Sequence, residues 1–240
     1  MSNKEYRQKE GISASDLKKM VKSMAYYHYC KENPEDNDTE ALLFGRAYHK
    51  LMLEPDDFDT EFAVAPYVDK RTKEGKATWQ KFCEENEGKD IITQQMYETL
   101  LEMQKALYET PYVKLLIKGD HEKSYFWVDE NYGLPMKIRP DSTGKIKDEY
   151  ICCDLKTTVC AETDKFMRDS IRLGYDLQTA HYLEGLEKAY GKKFKFIFIA
   201  QEKVEPYLVN VLEADEYFIL DSGDKILFKN LRIRLLEPSP

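Results

Sequence analysis

The chain has 240 residues, 42% of them hydrophobic and 33% charged, with a formal net charge of −8. That balance describes a globular chain able to bury a sizeable core. It argues against a protein that coats nucleic acid non-specifically, because phosphate neutralisation over a broad surface needs a general excess of Lys and Arg. An acidic chain can still act on nucleic acid if its basic residues are local and its carboxylates hold metal ions. The five cysteines, Cys30, Cys83, Cys152, Cys153 and Cys160, form an odd set with no CxxC pair. With no leader-like segment and no run near the roughly 20 apolar residues of a membrane span, the expectation is a reduced, cytoplasmic protein without membrane attachment.

In chain order, the polar residues 1–10 predict a flexible N-terminus. ISASDLKKMVKSMAYYHYC then offers Ser13 or Ser15 as an N-cap to a first helix. TEALLFGRAYHKLMLEP places Leu43, Ala47 and Leu51 beside Phe44, Tyr48 and Met52 on helical rows, and Pro55 stops this second helix. Residues 66–90 predict a mobile basic loop and a short helix around Trp79 to Glu85, followed by a helix over 93–109 that continues through 111–117. From there the period becomes alternating. EKSYFWVDE, LPMKIRPD, EYICCDLKT, KFKFIFIAQEK and YLVNVLEA predict five strands, with NYG and STGK as turns. Between the third and fourth strands, spacing predicts two helices broken near Gly174 and closed by Gly191, a βαβ-type connection. A last helix is expected over 214–236.

The chemistry concentrates in MKIRPDSTGKIKDEYICCDLKTT. Residues two apart on a strand share a face, so Asp154 and Lys156 point the same way, and a turn at STGK would bring Asp141 alongside. Two carboxylates at one sheet edge suit a hard divalent cation such as Mg²⁺ or Mn²⁺, which takes oxygen ligands, water and substrate phosphate. A neighbouring lysine can orient the attacking water or stabilise charge building up on phosphorus oxygens. Taken alone, D-x-K is a common tripeptide and reads more readily as a surface ion pair on a hairpin.

The pattern RPD, then 12 residues, then DLKTT resembles the PD-(D/E)xK nuclease superfamily. GYDLQTAHYLEGL supplies Gln178 and Tyr182 at i, i+4, similar to the Q-x-x-x-Y motif of its exonuclease branch. FGRAYHKLMLEPDDF resembles the helix that carries a metal-binding histidine, here His49, in RecE-type exonucleases (exodeoxyribonuclease VIII) and related helicase-linked nucleases. ISASDLKKMVKSMAYYHY is similar to the segment preceding it. Glu122 resembles an acidic position often found before the first motif carboxylate. The ordered conjunction of these motifs, rather than any one of them, carries the resemblance from about residue 11 to about residue 215.

The resemblance implies an α/β fold with a mixed, roughly five-stranded sheet flanked by helices, a restriction-endonuclease-like core. Residues 11–236 would form a single domain, with a helical part at 11–117, a catalytic core at 118–215 and the C-terminal helix. Asp141 and Asp154 would bind Mg²⁺ or Mn²⁺ with His49 and Glu122, Lys156 would position the water, and Gln178 with Tyr182 the substrate end. No cysteine follows Cys160, so no Fe–S cluster is expected. The implied activity is 5′ to 3′ digestion of duplex DNA ends in phage-type recombination, with a single-strand annealing protein as partner and a homo-oligomeric assembly. Lys70, Arg71, Lys73, Lys76 and Arg139 are the candidate DNA contacts; solvated charge is their ordinary alternative. His121, His28 and His181 have no motif support and read as structural. Rival readings are a structure-specific or single-strand endonuclease of the same superfamily and a catalytically silent DNA-binding or assembly module.

Overall fold

The computed structural model describes residues 1, 3–33, 39–214 and 233–235. The chain divides into two compact units, Met1–Asp36 with Thr110–Pro240 and, separately, Asn37–Glu109. This is a finer division than a single domain over 11–236.

In the first unit the N-terminal residues, expected to be flexible, carry α1 (Asn3–Gln8). Lys137 holds it in place. That side chain is only 6% exposed, and its ammonium donates to the carbonyls of Tyr6, Arg7 and Lys9 at 3.1, 3.3 and 2.6 Å. Carbonyls at a helix C-terminus lack intrahelical donors and favour a cation. Ser13 caps α2 (Ala14–Lys22) in a capping box with Asp16. The expected single helix divides at Ser23, whose backbone is extended and whose hydroxyl accepts from the Tyr26 N–H to start α3 (Met24–Glu32).

The second unit opens with α4 (Glu40–Leu53), capped by Thr39 and ended before Pro55. Then follow α5 (Phe58–Glu61), β1 (Phe62–Val64), α6 (Lys73–Glu85), β2 (Asp90–Ile92) and α7 (Gln94–Glu109). The parallel pair β1 and β2 has three residues per strand, too few for an alternating pattern to register. The segment expected to be a mobile basic loop is a built turn. Asp69 accepts from the backbone and guanidinium of Arg71, and the Thr72 hydroxyl caps α6 through the Gly75 N–H. A side chain at Gly75 would collide with the Asp69 carbonyl. The helix therefore begins well before Trp79.

Returning to the first unit, α8 (Val113–Leu116) does not continue α7, because Tyr112 between them is left-handed at φ 67°. Next come β3 (Asp120–His121), β4 (Tyr125–Val128), β5 (Pro135–Ile138), β6 (Ser142–Ile146), β7 (Glu149–Thr158), α9 (Thr163–Arg172), α10 (Tyr175–Tyr190), β8 (Phe194–Glu202), β9 (Val209–Ala214) and β10 (Ile233–Leu235). The mixed α/β architecture is as expected. The main sheet runs β10-β9-β8-β7-β6-β3, with β7 and β8 parallel and the other pairs antiparallel. Glycines in left-handed conformation, Gly174 and Gly191, bound α10.

Two strand expectations are corrected. EKSYFWVDE and LPMKIRPD pair with each other as the hairpin β4 and β5, apart from the main sheet. STGKI, expected as a turn, is β6, and the chain reverses at Lys147, whose φ is 53°. The glycine is there for a physical reason: a Cβ on Gly144 would sit 2.7 Å from the Lys118 carbonyl oxygen. A strand glycine marks such close backbone approach. At the C-terminal end Ala214 belongs to β9 and residues 233–235 to β10, so the expected helix is absent at both places; 215–232 and 236 lie outside the described residues.

The core of the first unit gathers Cys152, Phe194, Phe196, Phe198, Ala200 and Leu212 from the sheet against Phe166 of α9, Leu186 of α10 and Ile138 of β5. Cys152, Asp154 and Lys156 alternate on this face of β7. Among the described residues no helix is long and apolar enough to cross a membrane. Side chains crowd Gly185 of α10, where a Cβ would meet Trp127 at 2.6 Å and Ile138 at 2.7 Å. Gly185→Ala should therefore destabilise the fold by about 1–3 kcal/mol, read as a lower urea midpoint with an unchanged m-value; a midpoint equal to the parent's would contradict this packing.

Candidate active site

Asp154 lies in the middle of β7, where the ladder to β8 pairs it with Phe198 and pairs Lys156 with Ala200. Its carboxylate is 1% exposed. A charge so buried needs compensation, and two neighbours supply it. The Lys156 ammonium stands 2.5 Å from Oδ2, and Gln178 donates from Nε2 to Oδ1 at 2.7 Å. The Gln178 amide oxygen in turn accepts from Lys156 at 3.5 Å. Burial alone would push the Lys156 ammonium down, but Asp154 and Asp141 overcome it and the group is held above its ordinary value.

Asp141 sits just before β6, after Pro140. The antiparallel ladder begins at Ser142 opposite Cys153. One position further on, Asp141 Oδ2 accepts the Leu155 N–H at 2.7 Å, so a side chain substitutes for the backbone carbonyl of a strand that has not yet begun. The two carboxylates thereby attach to consecutive residues of β7, Asp154 by its own side chain and Asp141 through Leu155. Tyr182, one turn beyond Gln178 on α10, donates to the Arg139 carbonyl at 3.2 Å. Gln178 and Tyr182 thus fasten α10 to the two segments that carry the carboxylates. Burial first, then Asp154 and Asp141, pushes the Tyr182 phenol well up, so it remains a donor.

The other candidates are placed differently. Glu122 reaches Asp141 through the backbone, its N–H donating to the Asp141 carbonyl at 3.1 Å. Its carboxylate instead accepts from Arg139 Nε at 2.6 Å. Arg139 also donates to Ser124 and to the Met1 carbonyl, so it serves an internal ion pair. His49 belongs to the second unit, where its Nδ1 lies 2.8 Å from the Gly45 carbonyl oxygen. That bond requires hydrogen on Nδ1 and leaves the lone pair on Nε2, the tautomer a metal ligand needs. Lys70 lies over the Trp79 ring, Arg71 pairs with Asp69, and Lys73 and Lys76 are exposed on α6, all in the second unit.

Two residues outside the motifs join the site. The Lys156 and Lys18 ammoniums lie 4.6 and 5.1 Å from the centre of the Tyr175 ring. Burial, and next Lys156, pushes Lys18 down to about 8. SASDLKK gave no sequence signal for this, because a lysine on an amphipathic helix ordinarily faces solvent. His121 and His181 are structural as expected, bonding to the carbonyls of Ile117 and Lys137.

Among the described residues no three of His, Cys, Asp and Glu gather as a ready-made metal cage. A pair of buried carboxylates fits a hard cation that completes its shell with water and phosphate oxygens; burial holds the neighbouring Cys152 and Cys153 thiols protonated, so the set does not fit a closed zinc site.

A mixed, helix-flanked sheet with Asp154 and Lys156 on one strand and Asp141 just before its antiparallel neighbour is a PD-(D/E)xK nuclease-like fold. The chain belongs to the family described as a PDDEXK-like domain of unknown function (DUF3799), which matches residues 13–233. Among solved structures it is similar to a crystal structure of a Eubacterium rectale protein whose exonuclease designation is provisional. The TM-score is 0.62 at 18% identity, over 90% of this chain and 78% of that one, a likeness of fold. No curated protein matches the sequence.

His181 gives the site's scaffold a pH dependence. Burial lowers its proton affinity below the ordinary 6.5, against hydrogen bonds to the Lys137 and Ile12 carbonyls. As pH falls through 6.5 the unfolded chain takes up a proton that the folded chain refuses, so stability is full above that pH and declines below it. His181→Gln should flatten this part of the stability profile in denaturant titrations between pH 7.5 and 5, values on the order of one unit either side of the histidine range; an identical slope in the two proteins would rule the assignment out.

Proposed function

We propose that this protein is a divalent-metal-dependent DNA nuclease of the RecE type. It would digest duplex DNA from its ends, 5′ to 3′, and leave a 3′ single strand for an annealing protein in phage-type recombination, working as a homo-oligomer. The observation that carries the reading is the buried network in which Asp154 meets both Lys156 and Gln178 while Asp141 is bonded to the intervening Leu155. A solvated ion pair on a hairpin, the ordinary alternative for D-x-K, would have none of this burial.

Asp141 and Asp154 would hold the metal, Mg²⁺ or Mn²⁺, with Glu122 as a further ligand candidate, and His49 in the second unit keeps the tautomer a metal ligand needs. A bound divalent ion polarises a phosphoryl oxygen and lowers the pKa of water at the site. Lys156 donates from its ammonium, orienting the attacking water and offsetting the negative charge that develops on the phosphorus oxygens. Gln178 holds Asp154 in one rotamer, and Tyr182 keeps α10 against the strand end that leads into Asp141. Lys73 and Lys76 support the DNA-binding part of the reading: both lie in the first turns of α6, where the helix dipole favours anions, so a phosphate backbone alongside would relieve them.

A linear duplex labelled at its 5′ or 3′ end, incubated with Mg²⁺, Mn²⁺ or EDTA beside a closed circle, tests the reading. Metal-dependent loss of the linear DNA alone is expected, with 5′ label released first. Cutting of the circle would instead favour an endonuclease, and no cutting with either metal a silent binding module. Lys156→Ala should lower turnover by about 10²–10⁴-fold while retaining DNA binding, whereas Asp154→Ala should also weaken metal binding, read by calorimetric titration. Parent-like turnover in either variant would remove that residue from the chemistry.

A further inference from the structure

Lys18 and Lys156 bring two ammonium groups to one aromatic ring, Tyr175, at 5.1 and 4.6 Å. They are not equivalent. Lys156 is neutralised by Asp154, whereas Lys18 makes no ion pair or hydrogen bond among the described residues and feels Asp154 and Asp176 only at longer range.

The placement of Lys18 is built into the packing. Its Cγ, Cε and Cδ run 3.3, 3.4 and 3.5 Å from where a Cβ on Gly174 would stand. Gly174, left-handed at φ 66°, is the N-cap of α10, so the stem lies across a residue that offers no side chain and leads the ammonium toward Tyr175. Fixing a long, flexible cation there costs conformational entropy, and a second ammonium on the same ring adds repulsion. The Tyr175 face, Asp154 and Asp176 offset only part of this, since the proton affinity of Lys18 still falls below its ordinary value, and an anion between the two cations would offset the repulsion directly.

We propose that Lys18 is a phosphate-binding residue of this site, its ammonium contacting a non-bridging oxygen of the substrate phosphate that Lys156 contacts from the other side. This rests on the nuclease reading and extends it to a residue outside the DxK and QxxxY motifs. The partly depressed proton affinity of Lys18 agrees with it, since a bound dianionic or monoanionic phosphate would restore the full charge. Phosphate oxygens are the fitting partner for a compact ammonium, which binds them as a point charge.

The test is steady-state cleavage of linear duplex in Mg²⁺ by the parent, Lys18→Met and Lys18→Arg across a range of salt. Lys18→Met keeps the apolar stem and removes only the charge. It should raise KM by about tenfold to a hundredfold, with kcat less affected, and make the salt dependence of log kcat/KM shallower by about one unit. Lys18→Arg should recover most of both. A defect confined to 5′-phosphorylated ends would assign the contact to the terminal phosphate; an equal defect on 5′-hydroxyl ends would assign it to an internal phosphodiester. A parent-like salt slope in Lys18→Met, whether or not its activity falls, would overturn the proposal and leave Lys18 as packing. A parent chain that cleaves no DNA would instead overturn the nuclease reading, and this inference with it.

Discussion

The hydrogen bond from the Leu155 N–H to the Asp141 carboxylate sets the geometry on which the site depends. A central strand needs every N–H paired, and β6 begins at Ser142, two residues after the Pro140 that would face Leu155. A carboxylate does so instead. The sheet's own need for an acceptor therefore draws a charged group into an interior position beside Asp154, where two carboxylates would otherwise repel. The compensation lies close by: Lys156 on the same strand, two residues on, and Gln178 reaching in from α10. Removing any one member leaves a buried polar group uncompensated, so the cluster is a unit rather than a sum of pairs.

α10 explains why the cluster is held so firmly. One face of this helix packs its small residue, Gly185, onto Trp127 and Ile138. The turns before it send Gln178 to Asp154 and Tyr182 to the Arg139 carbonyl. Close approach at Gly185 is what brings those two side chains within hydrogen-bonding reach, which connects an apolar packing detail to the orientation of a carboxylate some turns away. The same helix begins at Gly174, where the absent side chain makes room for Lys18. Both ends of the site are thus organised by glycines on one element.

How much of this the sequence displays depends on how local each signal is. The period of β7 and β8, the glycine boundaries of α10 and the i, i+4 spacing of Gln178 and Tyr182 are local, and each is found where the pattern places it. Asp141, Asp154 and Lys156 also converge as spacing suggests, though Asp141 precedes a strand rather than ending one; Gln178 reaches them from α10. What is illegible depends on partners distant in sequence. STGKI sets the poor strand formers Ser, Gly and Lys beside Thr and Ile, and is a strand because Cys152 and its neighbours pair with it and Gly144 leaves room for the Lys118 carbonyl. Arg139, a candidate DNA contact in the sequence, instead answers Glu122, and Lys137 caps α1. Lys18 reads as solvated because nothing within its helix reveals Tyr175.

Formal charges around Tyr175 and β7 show how an acidic protein can handle a polyanion. Asp141, Asp154 and Asp176 against Lys18 and Lys156 leave one net negative charge among these five residues. A divalent cation would turn that into one net positive charge, which a phosphodiester monoanion would cancel. Neutrality is therefore reached with metal and substrate together and with neither alone, so in a low-dielectric site each favours the other's binding. The chain's overall charge of −8 acts against non-specific adhesion to DNA, while under the proposed function the local arrangement would favour a phosphate presented at a bound metal. An acidic chain and a local site that would accept phosphate are compatible because screening confines each field to its own neighbourhood, over about 10 Å at moderate salt.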